Sequence, residues 1–147
     1  MPANLYLCGN TNKNATMITI DDALLDKLQQ EARASERLRM NFDLRNNADE
    51  DSQRMLNVME PGTKVPIHRH TDTIETVVVL RGRVDEVFYD PEGNETRRVH
   101  LDASKGVYGL QIPAGVYHTV EALTPCAIFE MKAGKFVPRD AADTLTK

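Results

Sequence analysis

The chain has 147 residues, of which 41% are hydrophobic and 27% are charged, and its formal net charge at pH 7 is -4. This length and composition predict one globular domain with a proper core. The net negative charge leaves no large basic surface of the kind that binds nucleic acid. The longest strongly apolar run, residues 77–80, is too short to span a membrane. We therefore expect neither a nucleic-acid partner nor a membrane span.

The first residues contain neither a basic segment nor a long apolar run, so they show no secretory signal. The two cysteines, Cys8 and Cys126, fit no metal or redox spacing and are expected to be reduced thiols. Together these features favour a cytoplasmic protein.

Before residue 50 the strongest pattern is one amphipathic helix, predicted from about Asp21 to about Ser35. The segment 19–22 supplies a capping residue and first-turn acids. Apolar residues then recur at helical spacing, namely Leu24, Leu25, Leu28 and Ala32. A single apolar stripe is typical of a surface helix that packs on a core.

After residue 50 the pattern changes to short strands rich in Val, Ile, Tyr and Phe, which are separated by Pro/Gly turns. The predicted strands are residues 53–59, 64–70, 75–81, 84–89, 95–102, 108–112, 118–122 and 126–132. Closely spaced strands of this kind predict a β-sandwich or a small barrel. A jelly-roll is one way to fold them without long exposed edges.

Three of the four histidines and one glutamate form the most informative pattern: His68, His70, Glu75 and, 43 residues later, His118. On a strand, His68 and His70 would share one face, and a new strand beginning near Ile74 would let Glu75 face the same way. Three imidazoles and one carboxylate hold a divalent first-row metal with positions left open. A structural zinc site would more often be thiolate-rich and closed. We predict one divalent transition metal here, either iron, manganese, nickel or zinc.

The spacing of these ligands and the nearby turns resembles both signature motifs of the cupin superfamily. The matching residues are Gly62-x5-His68-x-His70-x4-Glu75-x6-Gly82 and Gly106-x6-Pro113-x-Gly115-x2-His118. Many cupins have Asn four residues after the last His, where this chain has Ala122. The resemblance implies an all-β double-stranded β-helix, that is, a jelly-roll barrel, with one N-terminal amphipathic α-helix. We predict an N-terminal extension over residues 1–50 with its helix packed on the barrel, a cupin barrel over 51–138 and a C-terminal tail over 139–147.

A narrower resemblance covers nearly the whole chain and is to the WbuC-type cupin metalloproteins. The segments that carry it are 20–35, 37–41, 53–56, 61–62, 66–70 and 129–138. Members that resemble this chain often have an aromatic residue beside the acidic ligand, whereas Ile74 and Thr76 flank Glu75. Such proteins are found with bacterial surface-polysaccharide genes, so the resemblance implies a role in polysaccharide biosynthesis.

Seven further residues are candidates for substrate contact because they lie in the narrower resemblance or flank the second motif. They are Arg39, Asn41, Arg54, Tyr108, Gln111, Tyr117 and Glu130. An arginine near a metal can clamp a carboxylate or phosphate, although a solvent-facing arginine is the plain alternative. Tyr117 could equally be a core or rim aromatic, and Glu130 is either a pocket acid or the partner of an arginine. His100 is expected at the surface.

We predict a metal-dependent enzyme acting on a small polar molecule, sugar-derived if the narrower resemblance holds. Isomerase, lyase, hydrolase and oxygenase chemistry all stay open. One alternative is a metal-dependent binding or sensing module without turnover. Another is a metal-free sugar-nucleotide epimerase with a His base and a Tyr acid, against which the full ligand set argues. By analogy with other cupins we expect a homodimer.

Overall fold

The computed structural model describes residues 17–146. Within them the chain forms one α-helix, two short 3-10 helices and ten strands. The helix α1 spans Asp22–Ala34, the 3-10 helices span Ala103–Lys105 and Ala141–Asp143, and the strands are β1 Arg39–Asp43, β2 Ser52–Met59, β3 Ile67–His68, β4 Glu75–Arg81, β5 Arg83–Tyr89, β6 Glu95–Asp102, β7 Gly109–Ile112, β8 Tyr117–Ala122, β9 Cys126–Ala133 and β10 Thr144–Leu145. None of the helices in this part of the chain has the length and apolarity to cross a membrane.

The strands form two five-stranded antiparallel sheets that pack face to face. Sheet A has the order β1-β2-β9-β4-β7, and sheet B has the order β10-β3-β8-β5-β6. Non-consecutive strands are neighbours in both sheets, as in a jelly-roll. The predicted all-β jelly-roll with one helix is therefore confirmed.

The helix α1 lies on the outer face of sheet A. Asp21 is its N-cap and accepts a hydrogen bond from the Leu24 amide at 3.0 Å. Leu25, Leu28 and Ala32 are buried and pack with residues of β2 and β9. The helix begins and ends within one residue of the predicted bounds, because both the cap and the apolar stripe are local signals.

The space between the sheets changes character along the barrel. Inward positions of β4 change from Glu75 to Val77 and Val79, and those of β8 change from His118 to Val120. Buried apolar side chains therefore fill one end of the barrel. The other end, called here the ligand end, receives polar side chains from both sheets.

Three strands differ from the sequence-based expectation. The predicted strand 64–70 shortens to Ile67–His68, since Pro66 has no amide to donate. After β3, the His70 carbonyl accepts a hydrogen bond from the Gly115 amide at 2.7 Å, outside any strand pairing. The two unpredicted strands are β1, at one edge of sheet A, and β10, at one edge of sheet B. They lie in the segments expected to be the extension and the tail.

Candidate metal centre

The ligand end brings together His68, His70, Glu75 and His118. Each offers one ligand atom, and these four atoms lie within 4.8 Å of one another. His68 and His118 are opposite residues of β3 and β8 in sheet B. Glu75 begins β4 in sheet A and so faces them across the barrel. The fold thus gathers the four residues that the sequence motifs singled out.

Two of the imidazoles are oriented by the backbone. The His68 Nδ1 atom lies 2.8 Å from the Pro66 carbonyl, and the His118 Nδ1 atom lies 2.9 Å from the Val116 carbonyl. A carbonyl only accepts hydrogen bonds, so each Nδ1 carries the proton and donates it, which leaves Nε2 as the metal-binding atom. Burial, together with the nearby Arg139 and His118, lowers the pKa of His68 to about 3. His68 is therefore neutral at pH 7, which is the form that binds metals.

The ligand atoms are buried with unmet bonding capacity. His118 Nε2 and Glu75 Oε2 have no hydrogen bond of acceptable geometry within residues 17–146, although His70 Nε2 lies 2.7 Å from that carboxylate oxygen. Burial opposes ionisation of Glu75, but His118, His70 and Lys132 outweigh it and hold the pKa of that carboxyl well below its usual range. Buried polar atoms are rarely left unbonded. Three imidazole nitrogens around one carboxylate fit a divalent cation.

Three of the seven candidate substrate residues face the interior of the barrel. Arg39 is opposite the inward-facing Met59, and its guanidinium donates to the Lys64 carbonyl at 2.6 Å. Asn41 is opposite Asn57, and Glu130 is opposite the inward-facing Val77. Burial, reinforced by Glu75, raises the pKa of Glu130 to about 7. These three residues lie on the same face of sheet A as Glu75.

The other four candidates lie away from the ligand cluster. Arg54 is on the outer face of sheet A and pairs with Glu50 at 2.5 Å. Gln111 is exposed, opposite Thr76 on that outer face. Tyr108 is 63% exposed and comes just before the first residue of β7. The other end of β7, at Ile112, is the one that lies opposite Glu75.

Tyr117 also points away from the ligand cluster. It lies on the outer face of sheet B, packs with Ile67, Val87 and Tyr89, and donates its hydroxyl to the Ala142 carbonyl at 2.9 Å. It is a packing residue under the C-terminal segment. The side chain of His100 is 72% exposed, as expected for a surface residue, and pairs with Asp85.

Four residues that interact with the cluster or with Glu130 were not predicted from sequence: Asn57, Glu86, Lys132 and Arg139. The Lys132 ammonium lies 3.5 Å from His70 Nε2 and 4.0 Å from Glu75 Oε2. Glu86 is 2% exposed on the inner face of sheet B, and burial, then Glu75 and Glu130, raises its pKa well above the usual range. Alternation along β9 and β5 could have pointed to Lys132 and Glu86, whereas no local pattern marks Arg139.

A family model described as "Domain of unknown function (DUF6016)" matches residues 20–101, which is more than half of the chain. A search of curated proteins finds no significant match.

Solved structures with the same architecture have low sequence identity to this chain. The capsular polysaccharide assembling protein CapF from Staphylococcus aureus is 20% identical with a TM-score of 0.57, over 76% of this chain and 32% of that one. A cupin-2 domain containing protein from Shewanella frigidimarina NCIMB 400 is 24% identical with a TM-score of 0.50, over 64% and 79%. The conserved SPY1581 protein of unknown function from Streptococcus pyogenes is 13% identical with a TM-score of 0.56, over 87% and 95%. The chain spans about a third of the CapF chains it matches, and these likenesses confirm the cupin fold.

Proposed function

This chain belongs to the DUF6016 family, and we propose that it is a metal-dependent enzyme acting on a small polar molecule at the ligand end of its cupin barrel. One divalent transition metal would be held by His68, His70, Glu75 and His118. The observation that carries this proposal is the convergence of four ligand atoms, two of them buried with no hydrogen bond among the described residues.

A bound metal would act as a Lewis acid on an oxygen atom of the substrate. The chain's own residues would prepare the site in other ways. The Nδ1 bonds of His68 and His118 fix their rings. The side chains of His70 and Lys132 are 17% and 16% exposed, so a small molecule would approach on their side. Glu130, with a pKa of about 7, can hold or release a proton inside the barrel at neutral pH.

A sugar-derived substrate is the finer part of this proposal. CapF, which shares the fold, is described as a capsular polysaccharide assembling protein. The resemblance to WbuC-type cupins, which are found with bacterial surface-polysaccharide genes, supports a role in polysaccharide biosynthesis as well.

Element-resolved metal analysis of protein purified without an affinity tag tests the metal site. The wild-type protein, the His68→Ala/His118→Ala double variant and a His100→Ala control would be compared. We expect about one metal per chain in the wild type and the control, because His100 lies outside the cluster, and little in the double variant. Equal metal content in all three proteins, or no metal after reconstitution, would contradict the proposal.

The identity of the metal would then direct the search for a reaction. Iron would lead to oxygen-uptake assays, whereas manganese, nickel or zinc would lead to isomerase, lyase and hydrolase screens. Ligand-dependent turnover that is lost in the double variant would support an enzyme.

Burial of the cluster favours a second candidate, which is metal-dependent ligand binding without turnover. His68, Glu75 and His118 are each less than 8% exposed, so only one side of the cluster is accessible. Saturable binding of a small molecule with no chemical change would support this candidate. The metal-free epimerase is disfavoured, because the described tyrosines lie in the outer packing cluster or at the exposed, remote end of β7.

A homodimer is our proposal for the assembly state. Both sheets end in edge strands, of which β1 in sheet A and β6 in sheet B are the longer ones. Edge strands commonly pair with another chain. Light scattering coupled to size-exclusion chromatography would measure the mass directly.

A further inference from the structure

A row of polar side chains crosses the inner face of sheet A and ends beside the metal cluster. This polar row consists of Arg39, Asn41, Asn57, Glu130 and Lys132, and the register of β1, β2, β9 and β4 places all five on the face that carries Glu75. Apolar side chains normally occupy such inward positions. The row therefore indicates that the barrel interior contacts something polar.

Lys132 is the member of the row nearest the cluster. Its ammonium is 4.0 Å from Glu75 Oε2 and 3.5 Å from His70 Nε2, and its side chain is 16% exposed. Glu75 is the anion nearest to it, and Glu130 is a second carboxylate that interacts with it electrostatically. Under the proposed function Glu75 would bind the metal instead, which leaves one carboxylate, Glu130, for Lys132 and Arg139 together. Lys132 would then be a largely buried cation beside a second cation, and buried charges need a partner of opposite sign.

A second cation, Arg139, lies on the same side of the barrel. It follows β9 in a segment whose start is anchored by Gln53, which donates to the Gly134 and Lys135 carbonyls at 3.2 Å each. Arg139 interacts electrostatically with Glu75 and Glu130, yet it makes no hydrogen bond or close ion pair with any other residue in the described range 17–146. Its guanidinium is thus available to bind an anion in two-pronged fashion.

The polar row also offers unused hydrogen-bond acceptors. Asn41 Oδ1 and Asn57 Oδ1 are buried without a hydrogen-bond partner among residues 17–146. Hydroxyl groups are donors that match such acceptors. Cations beside the metal cluster and amide acceptors along the row are the complement of a molecule that carries both an anionic group and hydroxyls.

We propose that the substrate or ligand is a small hydroxylated carboxylate, whose carboxylate is bound by Lys132 and Arg139 and whose hydroxyls extend from there along the polar row toward Asn57 and Asn41. This inference rests on the proposed function, because the metal removes Glu75 as the partner of Lys132. It assigns Lys132 and Arg139 as substrate-binding residues and the two asparagines as residues that select for hydroxyls.

Calorimetric titration of zinc-loaded protein with glycolate tests the assignment of Lys132 and Arg139 to the carboxylate, and ethylene glycol is the matched neutral probe. Glycolate is expected to bind and ethylene glycol is not. Lys132→Gln and Arg139→Gln should each weaken glycolate binding at least tenfold, whereas Lys132→Arg and the surface control Lys105→Gln should stay within threefold of wild type. Equal binding of the neutral probe, or glycolate binding unchanged in both Gln variants, would overturn the assignment. So would tight binding of inorganic phosphate without binding of glycolate.

Zinc content is measured on every sample, so the two proposals fail separately. A wild-type protein that takes up no zinc contradicts the proposed function. A zinc-loaded protein that does not bind glycolate, or binds it independently of Lys132 and Arg139, contradicts only the substrate class. Arg139 is exposed in the strandless segment after β9, so Arg139→Gln provides a folded test even if Lys132→Gln does not fold.

Discussion

Replacing Lys132 with Gln should tighten metal binding. In the structure the ammonium competes for Glu75, the single carboxylate of the cluster, from 4.0 Å away. At this distance two unit charges attract by about 4 kcal/mol when the effective dielectric constant is about 20. That value is an upper bound, because Lys132 keeps some exposure and moves on a flexible chain. We expect Lys132→Gln to make the free energy of metal binding more favourable by at least about 1.4 kcal/mol, which is tenfold in affinity.

Competition with a chromophoric chelator measures this change. Zinc affinity would be determined at pH 7 for the wild type, Lys132→Gln, Lys132→Arg and Lys105→Gln. The Arg variant keeps the positive charge beside Glu75 and should bind zinc like the wild type, and Lys105 lies in an exposed 3-10 helix away from the cluster. If Lys132→Gln binds zinc no more tightly than the wild type, or more weakly, then the ammonium does not oppose the metal and the electrostatic reasoning fails.

Other predictions concern stability and reactivity. In the unfolded chain the Glu86 carboxyl loses its proton above pH 4.5, its usual pKa, whereas in the folded protein its raised pKa keeps it protonated. The free energy of unfolding therefore falls as pH rises above 4.5. Glu86→Gln should therefore raise the unfolding temperature at pH 8 but not at pH 4, and the exposed control Glu92→Gln should change neither; equal shifts at both pH values would refute this. Burial raises the pKa of Cys126 to about 12, so iodoacetamide at pH 8 should modify this thiol only after denaturation, as peptide mass spectrometry would show. Leu56 is fully buried between α1 and the barrel. Leu56→Ala should therefore lower the free energy of unfolding, measured by urea titration, by about 2–5 kcal/mol. Leu80→Ala, at a partly exposed position, should lower it by well under about 1 kcal/mol.

The sequence predicted those parts of the molecule that local patterns determine. Bounds of the helix and of β4 and β6 follow from capping, alternation and turns, and the clustering of His68, His70, Glu75 and His118 follows from their spacing. The strand β1 was missed because its inward positions are polar: Arg39 and Asn41 face the barrel, while Met40 and Phe42 pack toward α1. This alternation is inverted relative to an ordinary strand with an apolar inner face.

Residues placed by long-range pairing could not be predicted in this way. Lys132 reaches the cluster because β9 pairs with β4 in the register that sets it opposite Glu75, and a shift of one residue would turn it outward. Arg139 reaches the cluster only because the segment after β9 returns across the barrel. Tyr117, a candidate for substrate contact or for a core or rim aromatic, is a packing residue, because adjacent residues of a strand face opposite sides and His118 faces inward.

The C-terminal strand bears on when the cluster can form. His68 lies on a two-residue strand, β3, between β8 and β10, and its opposite residue in β10 is Thr144. Residues 142–143 also bind Tyr117 and Arg69, which neighbour the ligands of both motifs. Contacts between residues so distant in sequence are slow to form. During synthesis, the strand that carries His68 is thus an unsupported edge until residues 144–145 have left the ribosome, and we expect metal loading to require those residues.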